Sequence, residues 1–275
     1  MPELPEVETI RRQLKRYLPL KITAQQVGVN LTPRIWKKSA ASLRLKDKSI
    51  VKLGRHGKFL IFDLDDGTHL LSHLGMSGAW LISEEKFQKP HHHLILQVEN
   101  RQGQKWFLSY YDPRRFGHLY HLDQKQFKEK LGQLGCDLVS SNFTTKYVQE
   151  CFQRYPQRLL KVCLLDQKLF AGSGNYIANE VCARAKIDPR RRCAELNLRQ
   201  IKRVHQAFAD VLNPAIVSSG VTFQGGYQDL EGQKGEGVNH LVVFYQKICQ
   251  MCQKTEVKKI MLAARGTYYC PRCQK

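Results

Sequence analysis

The spacing of apolar residues divides the chain into a strand-rich first half and a helical second half. Apolar residues recur at helical intervals between residues 5 and 18, which predicts one N-terminal helix. From about residue 20 to 122 the pattern changes to short apolar runs such as Phe59–Leu64 and Leu94–Val98, separated by turn signals such as Asp65-Asp66-Gly67. This half is predicted to fold as a β-sandwich or a barrel-like domain with one N-terminal helix.

Beyond residue 122 the periodicity is mainly helical. After a short helix at 124–131, the pattern predicts helices at 144–154, 157–164, 174–185 and 197–212. The glycine-rich segment Val221–Asn239 is predicted to be a mobile loop, and Leu241–Tyr245 a strand. The fold class is therefore α+β multidomain. The predicted division is 1–131 for the β-sandwich, 132–143 for a linker, 144–240 for the helical domain and 241–275 for a C-terminal module.

Charge narrows the class of partner. The chain has 44 Lys and Arg against 24 Asp and Glu, a formal net charge of +20. Such an excess favours a polyanionic partner, with nucleic acid ahead of a membrane surface. The sequence contains no uncharged apolar run long enough to span a bilayer and no apolar signal core, so we expect no membrane partner and a cytoplasmic location. A reducing cytoplasm also suits the scattered cysteines Cys136, Cys151, Cys163, Cys182 and Cys193.

Four further cysteines form the strongest local motif. Cys249-x2-Cys252 is followed after 17 residues by Cys270-x2-Cys273. Two such pairs close a tetrahedral zinc site, and a set of four thiolates leaves no open position for catalysis. The sequence therefore predicts one structural Zn²⁺ in a basic C-terminal hairpin. The alternative is two pairs of inert or disulfide-bonded cysteines.

The first residues offer a separate piece of chemistry. Met1 precedes a small residue and is expected to be removed, which would leave Pro2 with a secondary amine beside Glu3 and Glu6. An α-amino group titrates near about pH 7.7–8.0, so part of it is neutral and nucleophilic at neutral pH. Such an amine can attack the anomeric carbon of a sugar and form an iminium, while carboxylates move the protons. The alternative is an ordinary helix start with Pro5 in the first turn.

Four separated motifs together resemble the bacterial formamidopyrimidine-DNA glycosylases, which repair 8-oxoguanine in DNA. The resemblance covers essentially the whole chain, in order. The motifs are the N-terminal Pro-Glu-Leu-Pro-Glu-Val-Glu, Asp112-Pro113-Arg114-Arg115-Phe116-Gly117, the stretch from Leu165-Asp166-Gln167 to Gly172-Ser173-Gly174-Asn175, and the finger from Arg265 to Gln274.

The resemblance implies both a fold and an activity. The fold would be a β-sandwich catalytic domain, a helix–two-turn–helix DNA-binding domain with a loop over the lesion, and a zinc-finger β-hairpin. The activity would be that of a bifunctional DNA glycosylase and abasic-site lyase of base-excision repair, which removes oxidised purines through a Schiff base at Pro2 followed by β- and δ-elimination. The implied partner is double-stranded damaged DNA, bound by a monomer in the bacterial cytoplasm.

The resemblance also assigns catalytic roles to individual residues. Pro2 would be the nucleophile, Glu3 would protonate the sugar ring oxygen, and Lys58 would reach the lesion and its neighbouring phosphate. Glu6 would orient the amine or support its electrostatics, and Glu180 would support the N-terminal pocket. Arg265 of the finger would complete the catalytic set and would also contact phosphate.

The remaining implied residues bind DNA. Met76 and Phe116 would fill the gap left by the flipped nucleotide, and Arg114 would read the orphaned cytosine. The plainer alternatives are core packing for Met76 and Phe116, a surface salt bridge for Arg114 and a solvated turn for Lys58. The implied backbone contacts are His73, His91, Lys161, Asn175 and Arg265, and for both histidines the alternative is a structural role.

Two rival functions use some of the same features. Endonuclease VIII, a sister glycosylase for oxidised pyrimidines, typically begins Pro-Glu-Gly-Pro-Glu and lacks the Met/Arg/Phe set, so Leu4, Arg114 and Phe116 argue against it. A non-catalytic zinc-ribbon DNA-binding protein would need neither a free proline terminus nor an acid at position 3. The spacing between the cysteine pairs is one residue longer than is usual in the family, which concerns the turn of the finger.

Overall fold

The computed structural model describes residues 2–32, 34–38, 42–223 and 226–275. It contains two compact units, Met1–Gly132 with Ser218–Glu236, and Gln133–Val217 with Gly237–Lys275. The predicted removal of Met1 lies outside the described residues, as do Gln224 and Gly225 of the predicted loop. Among the described helices, none combines the length and apolar character that a bilayer crossing requires.

Among the described residues of the first unit, one helix precedes eight strands and a second helix follows them. The bounds are α1 Leu4–Lys15, β1 Leu20–Val27, β2 Ser49–His56, β3 Phe59–Leu64, β4 His69–His73, β5 Ala79–Ser83, β6 His92–Glu99, β7 Lys105–Tyr111, β8 His118–Leu122 and α2 Gln124–Gly132.

The strands of this unit pair antiparallel in one hydrogen-bonded sheet, in the order β5-β7-β6-β1-β2-β3-β4-β8. Although β3 and β5 are far apart in that order, the ring centroids of Phe62 and Trp80 lie 4.9 Å apart. Trp80 Nε1 also donates to Ser72 Oγ of β4 at 2.9 Å. The two halves of the ladder therefore face each other across a shared core. This arrangement confirms the predicted α+β class with an N-terminal β-sandwich.

Helix α1 closes one side of this core. Val7, Ile10 and Leu14 are each 0% exposed and belong to the same apolar cluster as the strands. Burying side chains of this size stabilises the fold by about 1.5–3 kcal/mol each. The helical period is therefore confirmed, although the helix begins one residue earlier and ends three residues earlier than the predicted range 5–18.

The second unit is mainly helical. Its elements are β9 Cys136–Asp137, α3 Thr145–Arg154, α4 Leu160–Leu164, β10 Phe170–Ala171, α5 Asn175–Arg184, α6 Leu198–Val217, β11 Lys258–Leu262 and β12 Arg265–Tyr269.

Two helix boundaries differ from the sequence prediction because of tertiary contacts. Helix α4 begins at Leu160 instead of residue 157, since Leu159 is extended and forms a β-bridge with Arg192. Helix α6 continues to Val217 through Pro214, whereas the predicted helix ended at residue 212. Its buried face extends to Ala215, so packing outweighs the hydrogen bond that proline cannot make.

Candidate functional site

Helix α1 begins directly after Pro2. Glu3 is its N-cap, and the Glu3 N–H donates to Glu6 Oε2 at 2.6 Å, as in a capping box. Glu6 Oε1 accepts the N–H of Val221 at 2.7 Å. Pro2 is buried, and Glu3 and Glu6 are 2% and 0% exposed. The three residues therefore share one buried turn in which both oxygens of Glu6 are held by backbone amides.

The second stretch of the first unit is fastened to α1. Gly220 has a φ of +90°, and a Cβ at this position would lie 3.0 Å from Glu6 Cγ, so the close approach requires glycine. Further along, Gln13 donates to Asp229 Oδ2 at 2.7 Å and accepts the N–H of Leu230 at 3.0 Å. The described part of the predicted loop thus has fixed attachments to α1, which its glycine-rich composition does not reveal.

Lys58 lies in the two-residue turn between β2 and β3, after Gly57, whose φ is +56°. Arg55 donates from Nη1 to the Gly57 carbonyl at 3.0 Å and from Nε to Glu8 Oε2 at 3.1 Å. Burial alone would raise the pKa of Glu8, but hydrogen bonds from Arg11 and the next arginine of α1, with the charges of Arg11 and Arg55, lower it to about 2. The ionised Glu8 therefore ties the turn that carries Lys58 to helix α1.

His73 ends strand β4 and is neutral at physiological pH. Burial, followed by the nearby positive charge of Lys58, lowers the pKa of His73 to about 4. Its Nδ1 accepts the N–H of Gly75 at 3.1 Å, which assigns the ring proton to Nε2. The ring therefore holds the start of the loop that carries Met76 and keeps one N–H donor for another partner.

The loops that follow β4 and β7 carry the three residues expected to enter DNA. Met76 is 39% and Phe116 46% exposed, so the core-packing alternative is wrong for both. The guanidinium carbon of Arg114 lies 5.0 Å from the centroid of the Phe116 ring, over an aromatic face. A Cβ on Gly75 would lie 2.3 Å from the Phe116 carbonyl carbon, so the two loops touch along their backbones. The structure thus brings these three predicted residues together at one exposed edge of the first unit.

His91 stands just before β6 in a left-handed conformation, with a φ of +76°. Its carbonyl accepts the N–H of Asp112 at 3.0 Å, while its side chain is exposed. The backbone of His91 is therefore fixed to the loop that follows β7, and its ring faces solvent, as contact with a nucleic-acid backbone requires.

A pocket of about 190 Å³ opens beside the loop that follows β7. The described part of the segment after Ser218 forms one wall of it, and residues next to Asp112 form another. Its lining includes Tyr111, Pro113, Thr222, Gln228 and Lys234.

In the second unit, Lys161 and Asn175 meet the C-terminal hairpin in a buried network. Lys161 Nζ donates to Asn175 Oδ1 at 2.9 Å, to the Gly266 carbonyl at 3.1 Å and to Thr267 Oγ1 at 2.8 Å. Asn175 Nδ2 donates to the same Gly266 carbonyl at 3.1 Å. Lys161 is 0% exposed and has a protein acceptor for each ammonium hydrogen. It therefore joins α4 and α5 to the hairpin, and a direct phosphate contact by Lys161 stays a prediction.

Arg265 begins strand β12 and is exposed. It follows the two-residue turn Ala263-Ala264, in which both residues have positive φ values, +46° and +56°. β11 and β12 pair in regular register from Lys258↔Tyr269 to Leu262↔Arg265. The additional residue between the cysteine pairs therefore leaves the hairpin intact, with Arg265 beside its tip.

Glu180 of α5 is buried and organises the chain that leads to the finger. Its carboxylate accepts the N–H groups of Val242 at 2.7 Å, Val243 at 2.9 Å and Phe244 at 2.8 Å. The predicted strand Leu241–Tyr245 is therefore wrong, because successive amides of a strand point to opposite sides and cannot converge on one carboxylate. Burial raises the pKa of Glu180, and the three amides oppose that shift. Support of the N-terminal pocket by Glu180 stays a prediction.

The four cysteines of the predicted metal site lie together. The sulfurs of Cys249, Cys252, Cys270 and Cys273 are all within 4.8 Å of one another, and Cys252 Sγ lies 3.9 Å from Cys270 Sγ. Tetrahedral zinc with bonds of about 2.3 Å would separate its sulfurs by about 3.8 Å. The cluster therefore fits a tetrahedral metal ion and can hold one. Gln274 accepts the N–H of Cys270 at 2.8 Å and fixes this end of the site.

Comparison with known proteins identifies the family. The model of the formamidopyrimidine-DNA glycosylase N-terminal domain matches residues 1–119, and that of the formamidopyrimidine-DNA glycosylase H2TH domain matches residues 134–225. The chain is 35% identical to the formamidopyrimidine-DNA glycosylase of Syntrophomonas wolfei and 34% identical to that of Halalkalibacterium halodurans. Both alignments cover 100% of this chain and 100% of the relative. The chain belongs to the formamidopyrimidine-DNA glycosylase family.

Solved structures of the formamidopyrimidine-DNA glycosylase family share the fold over the whole chain. The MutM (FPG) protein of Thermus thermophilus is 32% identical, with a TM-score of 0.86 over 99% of this chain and 98% of that one. A Lactococcus lactis FPG mutant in complex with a Fapy-dG containing DNA is 33% identical, with a TM-score of 0.86 over 100% of both chains. The L. lactis Fpg in complex with an abasic site containing DNA is 30% identical, with a TM-score of 0.85 over 99% of both. The resemblance drawn from the four motifs is confirmed.

Several residues that organise this glycosylase-family site are not among the predicted ones. Asp112 stands in the Asp-Pro-Arg-Arg-Phe-Gly motif, Glu8 ends the N-terminal motif, Arg55 lies three residues before Lys58, and Gln274 follows the last cysteine. In the sequence, each of them is a charged or amide residue close to a residue that the resemblance assigns to catalysis, DNA binding or metal binding. Burial, which reveals the organising role, is not visible in the sequence.

Proposed function

We propose that this chain is a DNA glycosylase and abasic-site lyase that removes oxidised purines, namely 8-oxoguanine and formamidopyrimidines, from double-stranded DNA. Its full-length membership of the formamidopyrimidine-DNA glycosylase family supports this function, as do the family structures that contain Fapy-dG or abasic-site DNA. The net charge of +20 supports a nucleic-acid partner. A monomer in the cytoplasm suffices for a reaction at one site.

The reaction begins at Pro2 once Met1 has been removed. The secondary amine attacks C1′ of the flipped nucleotide, so that an N–C1′ bond forms while the C1′–base bond breaks and the base takes up a proton. Glu3 donates a proton to the ring oxygen, the sugar opens, and an iminium links the enzyme to DNA. The iminium acidifies C2′, whose proton leaves as β-elimination expels the 3′ phosphate. A δ-elimination then expels the 5′ phosphate, and hydrolysis of the iminium frees the amine.

The residues assigned to the site have different roles in this reaction. Both oxygens of Glu6 accept backbone amides, which supports a role in orienting the first turn of α1 and leaves the proton transfers to Glu3. The turn fixed by Arg55 presents the ammonium group of Lys58 to the lesion and its phosphate. We assign to Arg265, on the exposed hairpin, a phosphate contact that steadies the reacting nucleotide.

DNA recognition uses the exposed edge of the first unit. Met76 and Phe116 fill the gap in the base stack, and Arg114 hydrogen-bonds the orphaned cytosine. The displaced purine enters the pocket beside the loop that follows β7. Contacts with the DNA backbone are assigned to His73, His91, Lys161, Asn175 and Arg265.

We assign one structural Zn²⁺ to Cys249, Cys252, Cys270 and Cys273. Four thiolates fill all positions of a tetrahedral ion, so when bound it supplies folding stability to the finger and no chemistry to the reaction. The finger in turn supplies acceptors to Lys161 and Asn175.

The proposal depends most on the buried turn of Pro2, Glu3 and Glu6 at the start of a full-length family match. The test incubates the protein with an 8-oxoguanine:cytosine duplex and borohydride and measures the covalent adduct on a gel. We expect adduct and strand cleavage for the wild type. Pro2→Gly should bind the duplex but lose most trapping and cleavage, because glycine offers a primary amine without the ring. Pro90→Gly, at an exposed turn, is the matched control and should behave as the wild type.

The other outcomes identify the rivals. An adduct formed with thymine glycol and not with 8-oxoguanine would point to an endonuclease VIII-like glycosylase. Binding without an adduct on either lesion would point to a non-catalytic DNA-binding protein. Undiminished trapping by Pro2→Gly would contradict the role of Pro2.

A further inference from the structure

Asp112 links the two loops that carry Met76 and Phe116. Its side chain is 0% exposed, and its two oxygens bind different loops. Asp112 Oδ1 accepts the Ser77 hydroxyl at 2.7 Å, and Oδ2 accepts the N–H of Gly117 at 2.8 Å. One buried carboxylate thus spans the loop that follows β4 and the loop that follows β7.

The backbone of Asp112 is held as firmly as its side chain. Its N–H donates to the His91 carbonyl at 3.0 Å, and its carbonyl accepts His93 Nε2 at 2.8 Å and the N–H of Arg115 at 3.2 Å. Arg115 has a φ of +54°, a conformation that is unfavourable for a residue with a side chain. Asp112 is therefore a fixed point from which the strained turn at Arg115 begins.

The contact between the loops leaves no room for a side chain at Gly75. Gly75 has a φ of +62°, and a Cβ there would lie 2.3 Å from the Phe116 carbonyl carbon and 2.5 Å from the Gly117 nitrogen. A Cβ on Gly117 would lie 1.7 Å from the Tyr110 hydroxyl. At Gly75 and Phe116 the two loops meet through backbone atoms, and the Ser77–Asp112 hydrogen bond joins them through side chains.

We propose that Asp112 is a positioning residue that clasps the two loops into one rigid wedge, with Met76 on one loop and Arg114 and Phe116 on the other. The proposal rests on the proposed function, in which all three side chains enter one gap in DNA. A wedge whose halves move independently would have to order itself during insertion, and that ordering weakens binding. Asp112 touches neither substrate nor reacting atoms and acts through the loops that it holds.

A graded set of variants separates this role from general stability. Asp112→Ala removes both hydrogen bonds, whereas Ser77→Ala removes one and leaves the N–H of Gly117 satisfied. Asp112→Asn preserves both, since its amide oxygen can accept from Gly117 while its amide nitrogen donates to Ser77, whose hydroxyl rotates. Ser83→Ala is the matched control, because Ser83 ends β5 and its hydroxyl accepts the N–H of Glu85 at 3.0 Å in a surface turn away from the two loops.

The main readout is insertion of the wedge into DNA that needs no base flipping. The probe is a duplex with a tetrahydrofuran abasic analogue opposite pyrrolocytosine, whose fluorescence rises when it is unstacked. We expect binding of the wild type, Asp112→Asn and Ser83→Ala to produce the same rise. Ser77→Ala should reduce the rise and slow single-turnover excision of 8-oxoguanine by about tenfold, and Asp112→Ala should do so more strongly. Borohydride trapping on single-stranded abasic DNA needs no wedge. In Ser77→Ala and Asp112→Ala it should therefore fall by no more than about twofold relative to the wild type.

The results separate the two proposals. A fluorescence rise in Ser77→Ala and Asp112→Ala equal to that of the wild type would overturn the clasp. Equal losses of trapping and of the fluorescence rise would also overturn it, because Asp112 would then serve the whole unit. A wild-type protein that neither excises 8-oxoguanine nor forms an adduct would overturn the proposed function, and the clasp with it.

Discussion

At the scale of the residue, His73 couples pH to the loop that carries Met76. Burial, together with the charge of Lys58, lowers its pKa from 6.5 to about 4. Between these values the unfolded chain binds more protons than the folded chain. The stability contributed by the neutral ring is therefore complete above about pH 6.5 and is lost as the pH falls toward 4.

The first prediction concerns His73→Asn, which keeps an acceptor near the Gly75 N–H and removes the titration. Between about pH 7 and 4.5 we expect the free energy of unfolding to fall less in the variant than in the wild type, by on the order of 2 kcal/mol. Urea denaturation at each pH measures this difference. Parallel falls in the two proteins would mean that His73 titrates normally in the folded state.

At the scale of the element, the finger hairpin contains a strained turn. Ala263 and Ala264 both occupy the left-handed region, with φ values of +46° and +56°, between β11 and β12. Two-residue hairpin turns of this kind favour Asn-Gly, because alanine carries a Cβ that crowds the following carbonyl. The turn places Arg265 beside the tip, so the strain lies next to a residue assigned to the function.

The second prediction follows from that strain. The double variant Ala263→Asn, Ala264→Gly should stabilise the hairpin by about 1 kcal/mol, seen as slower amide exchange from Arg265 to Tyr269. Ala264→Val should have the opposite effect, because a branched side chain is more strongly disfavoured at positive φ. Faster exchange in the double variant would show that the turn is not strained.

The third prediction concerns removal of the metal. Chelation of the proposed Zn²⁺ should disorder the hairpin, because the four thiolates lose the ion that joins them. Lys161 and Asn175 would then lose the Gly266 carbonyl as an acceptor. We expect weaker binding of damaged duplex and faster amide exchange in β12.

The chain offers an internal control for the metal experiment. Its three tryptophans, Trp36, Trp80 and Trp106, all belong to the first unit. Tryptophan fluorescence should therefore stay unchanged on chelation if the effect is confined to the finger. Chelated protein that binds damaged duplex as tightly as before would contradict the role assigned to the hairpin.

Local sequence patterns predict helices and strands correctly where interactions between residues close in sequence determine the structure. Strand β3 matches the predicted Phe59–Leu64, and α3 matches the predicted helix to within a residue, because both follow a simple apolar period. Leu241–Tyr245 has the same apolar character but is not a strand, since its amides bind the carboxylate of Glu180, which is about 60 residues away in sequence. A contact between residues so far apart in sequence leaves no periodic pattern from which it could be predicted.

At the scale of the molecule, two distant segments, strand β2 and the stretch 218–236, attach to α1 within the first unit. Glu6 binds Val221, Glu8 binds Arg55, and Gln13 binds Leu230. The motifs sufficed to predict the family and the candidate residues, because each motif is contiguous. The attachments that hold them could not be predicted, because each joins segments separated by tens to hundreds of residues. Asp112 shows the same limit, since its two partners belong to different loops.

These attachments give the helix after Pro2 a fixed place in its unit, which is what a covalent nucleophile at the chain terminus requires. The central claim is that the amine of Pro2, exposed by removal of Met1, bonds to the deoxyribose of damaged DNA. The most direct test is peptide mapping by tandem mass spectrometry of the complex trapped with borohydride on 8-oxoguanine DNA. The account predicts a reduced sugar remnant on the nitrogen of an N-terminal Pro2. A remnant on Lys58 or another lysine, or active protein that retains Met1, would contradict it.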